Sequence, residues 1–70
     1  MTVEQMTKWI ANRQLAAMQG TLQNLRSALD TAEELRDFGE GDELYLRLEE
    51  MTGQVERMIV EQQGHIAGLE

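Results

Sequence analysis

The apolar residues of this 70-residue chain recur at alternating steps of three and four along two long stretches. Such spacing puts side chains on one face of an α-helix, whereas a strand would alternate with period two. The first seam consists of Leu15, Met18, Leu22, Leu25, Leu29 and Ala32. The second consists of Leu44, Leu48, Met51, Val55, Met58, Gln62, His65 and Leu69, with Ile59 and Ile66 widening it on one side. The pattern predicts an all-α protein with two amphipathic helices.

Signals for the ends of both helices are also present. Thr2 followed by Gln5 fits a capping box. No strong breaker appears before Gly39, which can end the first helix with a positive φ, and Gly41 permits the reversal. Asp42 can then cap the second helix. The predicted organisation is an antiparallel two-helix hairpin over residues 2–38 and 42–68, with a turn at 39–41, in a single domain over residues 1–70.

Folding the chain back at the turn gives a first estimate of the register. Position i should face about 80 − i, which pairs Leu25 with Val55. Gly20 comes near Val60, where a small residue would permit close approach. The residues before about Ile10 have no partner and should overhang the hairpin.

The apolar face is wider than one partner helix can cover. A second strip beside the first seam consists of Val3, Met6, Ile10, Ala17, Ala28 and Leu35. A chain this short is marginal alone, and with no cysteine and one histidine it lacks the residues for disulfides or a structural zinc site. We therefore predict a homodimer that forms a four-helix bundle, or an equivalent pairing with another protein. The predicted dimer core is Leu15, Met18, Leu22, Leu25, Leu29, Leu48, Met51, Val55, Met58 and Ile59.

Negative charge is concentrated around the turn. Residues 30–50 contain nine acidic side chains and two arginines, so they carry the whole net charge of −7, and the remaining charges cancel. DNA and RNA binding need clustered basic residues, which this chain lacks, so direct nucleic-acid binding is not expected. A dense negative end instead favours association with a protein that has a basic surface.

Some side chains are left over once both seams are assigned. Trp9, Leu46 and Val60 lie off the seams, and Tyr45 follows the turn. Exposed aromatic and apolar residues of this kind suit a second protein interface. The predicted partner-binding residues are Trp9, Tyr45, Leu46, Val60, Glu33, Glu34, Asp37 and Glu40.

Other kinds of site are weakly supported. The stretch "DFGEGDELYLRL" places phenylalanine and glycine where a calcium loop needs ligands, and it ends in leucine rather than glutamate. His65 has no nucleophile or acid/base partner at catalytic spacing, so we predict neither an enzyme nor a cofactor. No apolar run approaches the length of a membrane span and no secretory signal is evident, so we expect a cytoplasmic protein without a membrane partner.

The hairpin layout resembles three kinds of small helical protein. Rop-type plasmid regulators dimerise into four-helix bundles, although they bind RNA through a face of polar and basic residues, and this acidic chain lacks such a face. Needle-subunit co-chaperones of type III secretion are similar in the stretch "DELYLRLEEMTGQVERMI" (42–59), where a tyrosine follows the turn. Phage-encoded inhibitors of host regulators are similar in size and charge. These resemblances imply an acidic protein-binding module that inhibits or sequesters another protein, for instance a transcription regulator. The alternatives are a needle-subunit co-chaperone and a DNA-mimic inhibitor.

Overall fold

Two helices account for nearly the whole chain. In the computed structural model, which describes residues 1–70, α1 spans Val3–Asp37 and α2 spans Asp42–Leu69, and there is no strand. The helices pack side by side in a molecule of 55 × 17 × 12 Å. The all-α hairpin predicted from the apolar spacing is therefore confirmed, with helix boundaries within one residue of the predicted ones.

The two helices begin in different ways. The Oγ1 of Thr2 accepts a hydrogen bond from the Gln5 amide at 3.1 Å, and the Gln5 side chain accepts one from the Thr2 amide at 2.8 Å, so the capping box is confirmed. The predicted cap by Asp42 is wrong. Gly41 is the N-cap of α2, and no side chain caps this end. Asp42 is already helical, and its carboxylate accepts a hydrogen bond from the Arg36 side chain at 3.0 Å.

The turn between the helices is short and depends on two glycines. Gly39 and Gly41 have φ values of +81° and +77°, which side chains with a Cβ rarely adopt. The amides of Gly39 and Glu40 donate to the carbonyls of Arg36 and Leu35, at 2.8 and 3.0 Å, which closes the end of α1. This geometry turns the chain sharply and brings Gly41 back beside Leu35. A Cβ added to Gly41 would lie 3.4 Å from the Leu35 Cβ.

This tight turn moves the register away from the predicted one. At the turn, Gly41 lies level with Leu35. Toward the open end of the hairpin, the Gln62 side-chain amide donates hydrogen bonds to the Ala11 carbonyl at 2.9 Å and to the Gln14 side chain at 3.2 Å. Position i therefore faces about 76 − i, one helical turn away from the predicted 80 − i. In consequence the end of α2 reaches the level of Thr7, where Gly68 and Leu69 lie beside α1. The overhang is shorter than predicted.

The face that α2 turns toward α1 also differs from the predicted seam. Thr52 is buried, and Tyr45, Ile59 and Ile66 are half-buried on the same strip. The strip predicted to lie there, which consists of Leu44, Met51, Met58 and His65, is exposed. Leu48 and Val55 lie between the two strips on the surface of α2, and both strips are largely apolar. In the structure Tyr45 packs at the turn and belongs to the strip that faces α1. The Arg36 guanidinium lies 4.4 Å from the Tyr45 ring centroid.

The glycines inside the helices do not mediate close packing, contrary to the prediction for Gly20. A Cβ at Gly20 would meet nothing within 4 Å. We expect Gly20→Ala to raise the free energy of unfolding by about 0.5–1 kcal/mol, since alanine is the better helix former. Gly41→Ala should lower it by about 1–2 kcal/mol, because the residue must keep a positive φ. Urea titration of both variants measures the difference. A destabilising Gly20→Ala would mean that another molecule packs against this position.

Candidate protein-binding surfaces

The hairpin buries little of itself. Only Ala11, Leu25, Ala32 and Thr52 are buried, and no large side chain is fully enclosed. The molecule exposes 5463 Å², whereas a compact monomer of 8.0 kDa would expose about 4,450 Å². Its radius of gyration is 16.2 Å, against about 11 Å for a compact chain of this length. An isolated hairpin therefore leaves roughly 1,000 Å² more surface in water than an ordinary folded monomer.

Much of this surface is apolar and lies on one long side, which we call the apolar flank. A groove of about 390 Å³ opens there between the helices and is lined by Gln14, Ala17, Met18, Thr21, Val55 and Met58. Positions seven residues before or after the groove residues lie on the same helix faces and extend this apolar surface along both helices. The apolar flank comprises Ile10, Ala17, Ala28, Leu35, Leu44, Met51 and Met58. Its five large side chains are each between 41% and 48% exposed.

The opposite long side of the hairpin is polar. Arg26 of α1 reaches Glu56 of α2 at 3.7 Å across this side. Positions at sevenfold spacing from these two residues are polar as well: Asn12, Gln19, Glu33, Glu49 and Gln63. The two sides of the helix pair are thus chemically distinct, and only the apolar flank resembles the interior of a bundle.

The residues predicted as a dimer core divide into two groups. Eight of them occupy the contact between α1 and α2, where Leu25 is buried and the others are half-buried. These eight are Leu15, Met18, Leu22, Leu25, Leu29, Leu48, Val55 and Ile59. Met51 and Met58 instead lie on the apolar flank, 48% and 46% exposed. The first group packs between the two helices of the hairpin, whereas the two methionines are exposed and can contact another chain.

The acidic end has few internal counter-charges. Both arginines within residues 30–50 are already paired, Arg36 with Asp42 at 3.0 Å and Arg47 with Glu43 at 2.7 Å. The other seven carboxylates of this segment are exposed and form no ion pair: Asp30, Glu33, Glu34, Asp37, Glu40, Glu49 and Glu50. Four of these, Glu33, Glu34, Asp37 and Glu40, were predicted as partner contacts. Because no basic side chain screens them, they create a negative potential at this end of the molecule.

Phe38 lies in the middle of this acidic end and is 84% exposed. It is the C-cap residue of α1, between Asp37 and Gly39. The sequence interpretation did not select it, although its position off both seams and beside the turn was a usable signal. Tyr45, which was predicted to bind a partner, is half-buried and packs under Arg36, so its ring contributes to packing at the turn.

The remaining predicted contacts point outward from both helices. Trp9 is 57% exposed on α1, with the Arg13 guanidinium 5.8 Å from its ring centroid. Leu46 and Val60 are 61% and 67% exposed and lie seven residues on either side of Gly53 on α2. A shallow groove beside Gly53 includes Val60 and does not include Trp9. The structure thus keeps these three side chains accessible without joining them into one patch.

Chemical sites of other kinds have little structural support. No group of three or more acidic or histidine side chains is arranged to hold a metal ion. His65 is exposed near the end of α2. Neither helix combines the length and the hydrophobicity needed to cross a bilayer. Comparison of the chain with protein-family models, with curated proteins and with solved structures gives no match.

Proposed function

We propose that this chain is a protein-binding module that dimerises through its apolar flank and binds another protein at its acidic end. By binding that protein it would inhibit or sequester it. The observation that carries the proposal is the combination of an unusually exposed hairpin with two different surfaces, one apolar and one acidic. We propose neither catalysis nor a cofactor, and the predicted cytoplasmic location stays a prediction.

The size of the exposed surface supports the dimer. A standard stable interface removes about 800 Å² of surface from each partner. The excess exposure of the hairpin, roughly 1,000 Å², is of this size. Met51 and Met58 lie centrally on the apolar flank and would enter the core of a four-helix bundle. A homodimer of this kind predicts a melting temperature that rises with protein concentration, because association stabilises the folded state.

The chemistry of the acidic end supports a proposal for the kind of partner. Seven unpaired carboxylates favour a surface rich in lysine and arginine, and the exposed Phe38 ring favours an apolar pocket within that surface. The nucleic-acid-binding face of a transcription regulator combines these properties, since it is basic and contains apolar contacts to bases. Occupying such a face would block the regulator without any contact between this protein and nucleic acid.

Charge reversal at the acidic end tests the proposed mode of binding. Partners captured from a lysate of the producing cell can be purified and their association rates measured. We expect replacement of Glu33, Glu34 and Asp37 by lysine to slow association at least about tenfold at low salt, because long-range attraction mainly raises association rates. The wild-type rate should fall with added salt.

A matched control has the same change in net charge at the other end of the hairpin. Replacement of Glu4, Glu61 and Glu70 by lysine alters the total charge equally and leaves the acidic end intact. If both triple variants bind at the same rate as the wild type, the acidic end does not steer the partner.

The apolar flank would equally accept a helical chain of a different protein. This observation favours the type III secretion co-chaperone as the second candidate, since such a protein works as a heteromer. A stable homodimer whose melting temperature is unchanged by a needle subunit would exclude that function. A DNA mimic ranks lower, because its carboxylates should be spread along one surface. Here the unpaired ones cluster at one end of a molecule 55 Å long.

A further inference from the structure

We infer that the second copy docks on the apolar flank in antiparallel orientation, so that the two acidic ends lie at opposite poles of the dimer. This inference rests on the dimer proposed above and adds its topology. Two hairpins of this shape can pack flank to flank in two ways. In the parallel arrangement the turns lie side by side, and in the antiparallel arrangement each turn lies beside the open end of the other hairpin.

Electrostatic repulsion opposes the parallel arrangement. Helices in contact have their axes about 8–10 Å apart, so two parallel turns would be separated by roughly 10–20 Å. Each turn region carries the full net charge of −7, and both of its arginines are already in ion pairs. The screening length at physiological ionic strength is about 8 Å, so such neighbours would still repel. The antiparallel arrangement separates the two ends by nearly the full 55 Å of the hairpin, where the repulsion is screened out.

The antiparallel arrangement also places each acidic end beside a segment without net charge. A two-fold axis through the middle of α1, near Gly20, brings position i level with about 40 − i of the partner helix. The acidic segment around Glu33 then lies level with the open end around Thr7 of the other copy, and the charges outside residues 30–50 cancel, four acidic against four basic.

The apolar side chains match in the same arrangement. Met6 comes level with Leu35 of the second copy, and Ile10 comes within about 3 Å of the level of Leu44 along the helix axis. These four side chains are 41% to 50% exposed in the single hairpin. Met6 is near the open end, where α2 covers α1 least, so the turn region of the second copy supplies the missing neighbour. The antiparallel dimer thereby covers the apolar flank along its whole length.

The topology has a functional consequence. A dimer with its acidic ends at opposite poles presents two separate binding ends, each with its own exposed Phe38. Such a dimer would hold two partner molecules far apart, whereas a parallel dimer would present one merged acidic surface.

Distance measurement between single spin labels distinguishes the two arrangements. The chain has no cysteine, so one introduced cysteine gives one label per subunit. Glu40→Cys labels the exposed turn, and Lys8→Cys labels the exposed open end. In the labelled Glu40→Cys dimer we expect a pulsed-EPR distance near the 55 Å length of the hairpin. In a mixed dimer of the Glu40→Cys and Lys8→Cys chains, the label-to-label distance should be roughly 10–25 Å.

Each possible result decides a different part of the proposal. A short distance between the two turn labels, with a long distance in the mixed dimer, overturns the antiparallel inference and keeps the dimer. A monomeric mass by sedimentation for the unlabelled chain, with no dipolar signal from either labelled sample, overturns the dimer and this inference with it. Wild-type melting behaviour of the two cysteine variants provides the folding control.

Discussion

The hairpin carrying Met51→Glu and Met58→Glu is expected to be monomeric at concentrations where the wild-type chain is dimeric. Both methionines lie on the apolar flank and are about half-exposed in the single hairpin, so the variant can still fold. In the dimer, however, each subunit would have to bury two carboxylates without partners, at a cost of several kcal/mol per ion. We expect the dissociation constant to rise at least about 100-fold, which corresponds to about 2.7 kcal/mol. Sedimentation equilibrium measures this directly.

The control variant adds the same charge to the same helix, α2, but on the face that points away from α1. Leu46→Glu together with Val60→Glu adds two carboxylates where the side chains are 61% and 67% exposed. This variant should remain dimeric, and its melting temperature should keep its dependence on concentration. A dimeric flank variant, or equal loss of association in both variants, would show that the second copy does not bind at the apolar flank.

Leu25→Ala should produce the largest loss of stability among single substitutions within the hairpin. Leu25 is the one large apolar side chain that the two helices bury, at 8% exposure. Its truncation removes apolar contacts and leaves a cavity, which costs about 2–4 kcal/mol. In a chain of this size each kcal/mol lowers the melting temperature by about 4–8 °C. We therefore expect a fall of at least about 10 °C by circular dichroism, at fixed protein concentration.

Leu46→Ala is the matched substitution on the surface. It deletes the same atoms from a side chain that is 61% exposed, so the loss should stay below about 1 kcal/mol. Equal losses for the two variants would mean that the contact between the helices is not centred on Leu25. A two-helix hairpin would then depend on surfaces other than its internal seam.

Local features of the sequence were sufficient to predict the helices. The period of the apolar residues gave two helices, and Thr2 with Gln5 gave the first cap, because a capping box involves only residues within one turn. Gly39 and Gly41 gave the position of the reversal, because a positive φ is a property of single residues. The concentration of carboxylates at the turn also follows from the sequence, since the turn position alone brings residues 30–50 to one end.

Only the tertiary structure decided the register and which strip of α2 faces α1. Two apolar strips flank Leu48 and Val55, so periodicity could not choose between the strip with Thr52 and the strip with Met51. In the observed arrangement Gly41 lies beside Leu35 and Tyr45 packs under Arg36, and these contacts join residues on different helices. Relative to the predicted register, α2 is shifted by one helical turn, and Met51 lies on the apolar flank. Helices were thus determined by local hydrogen bonding and apolar period, whereas the exposed surfaces were determined by packing between residues distant in the chain.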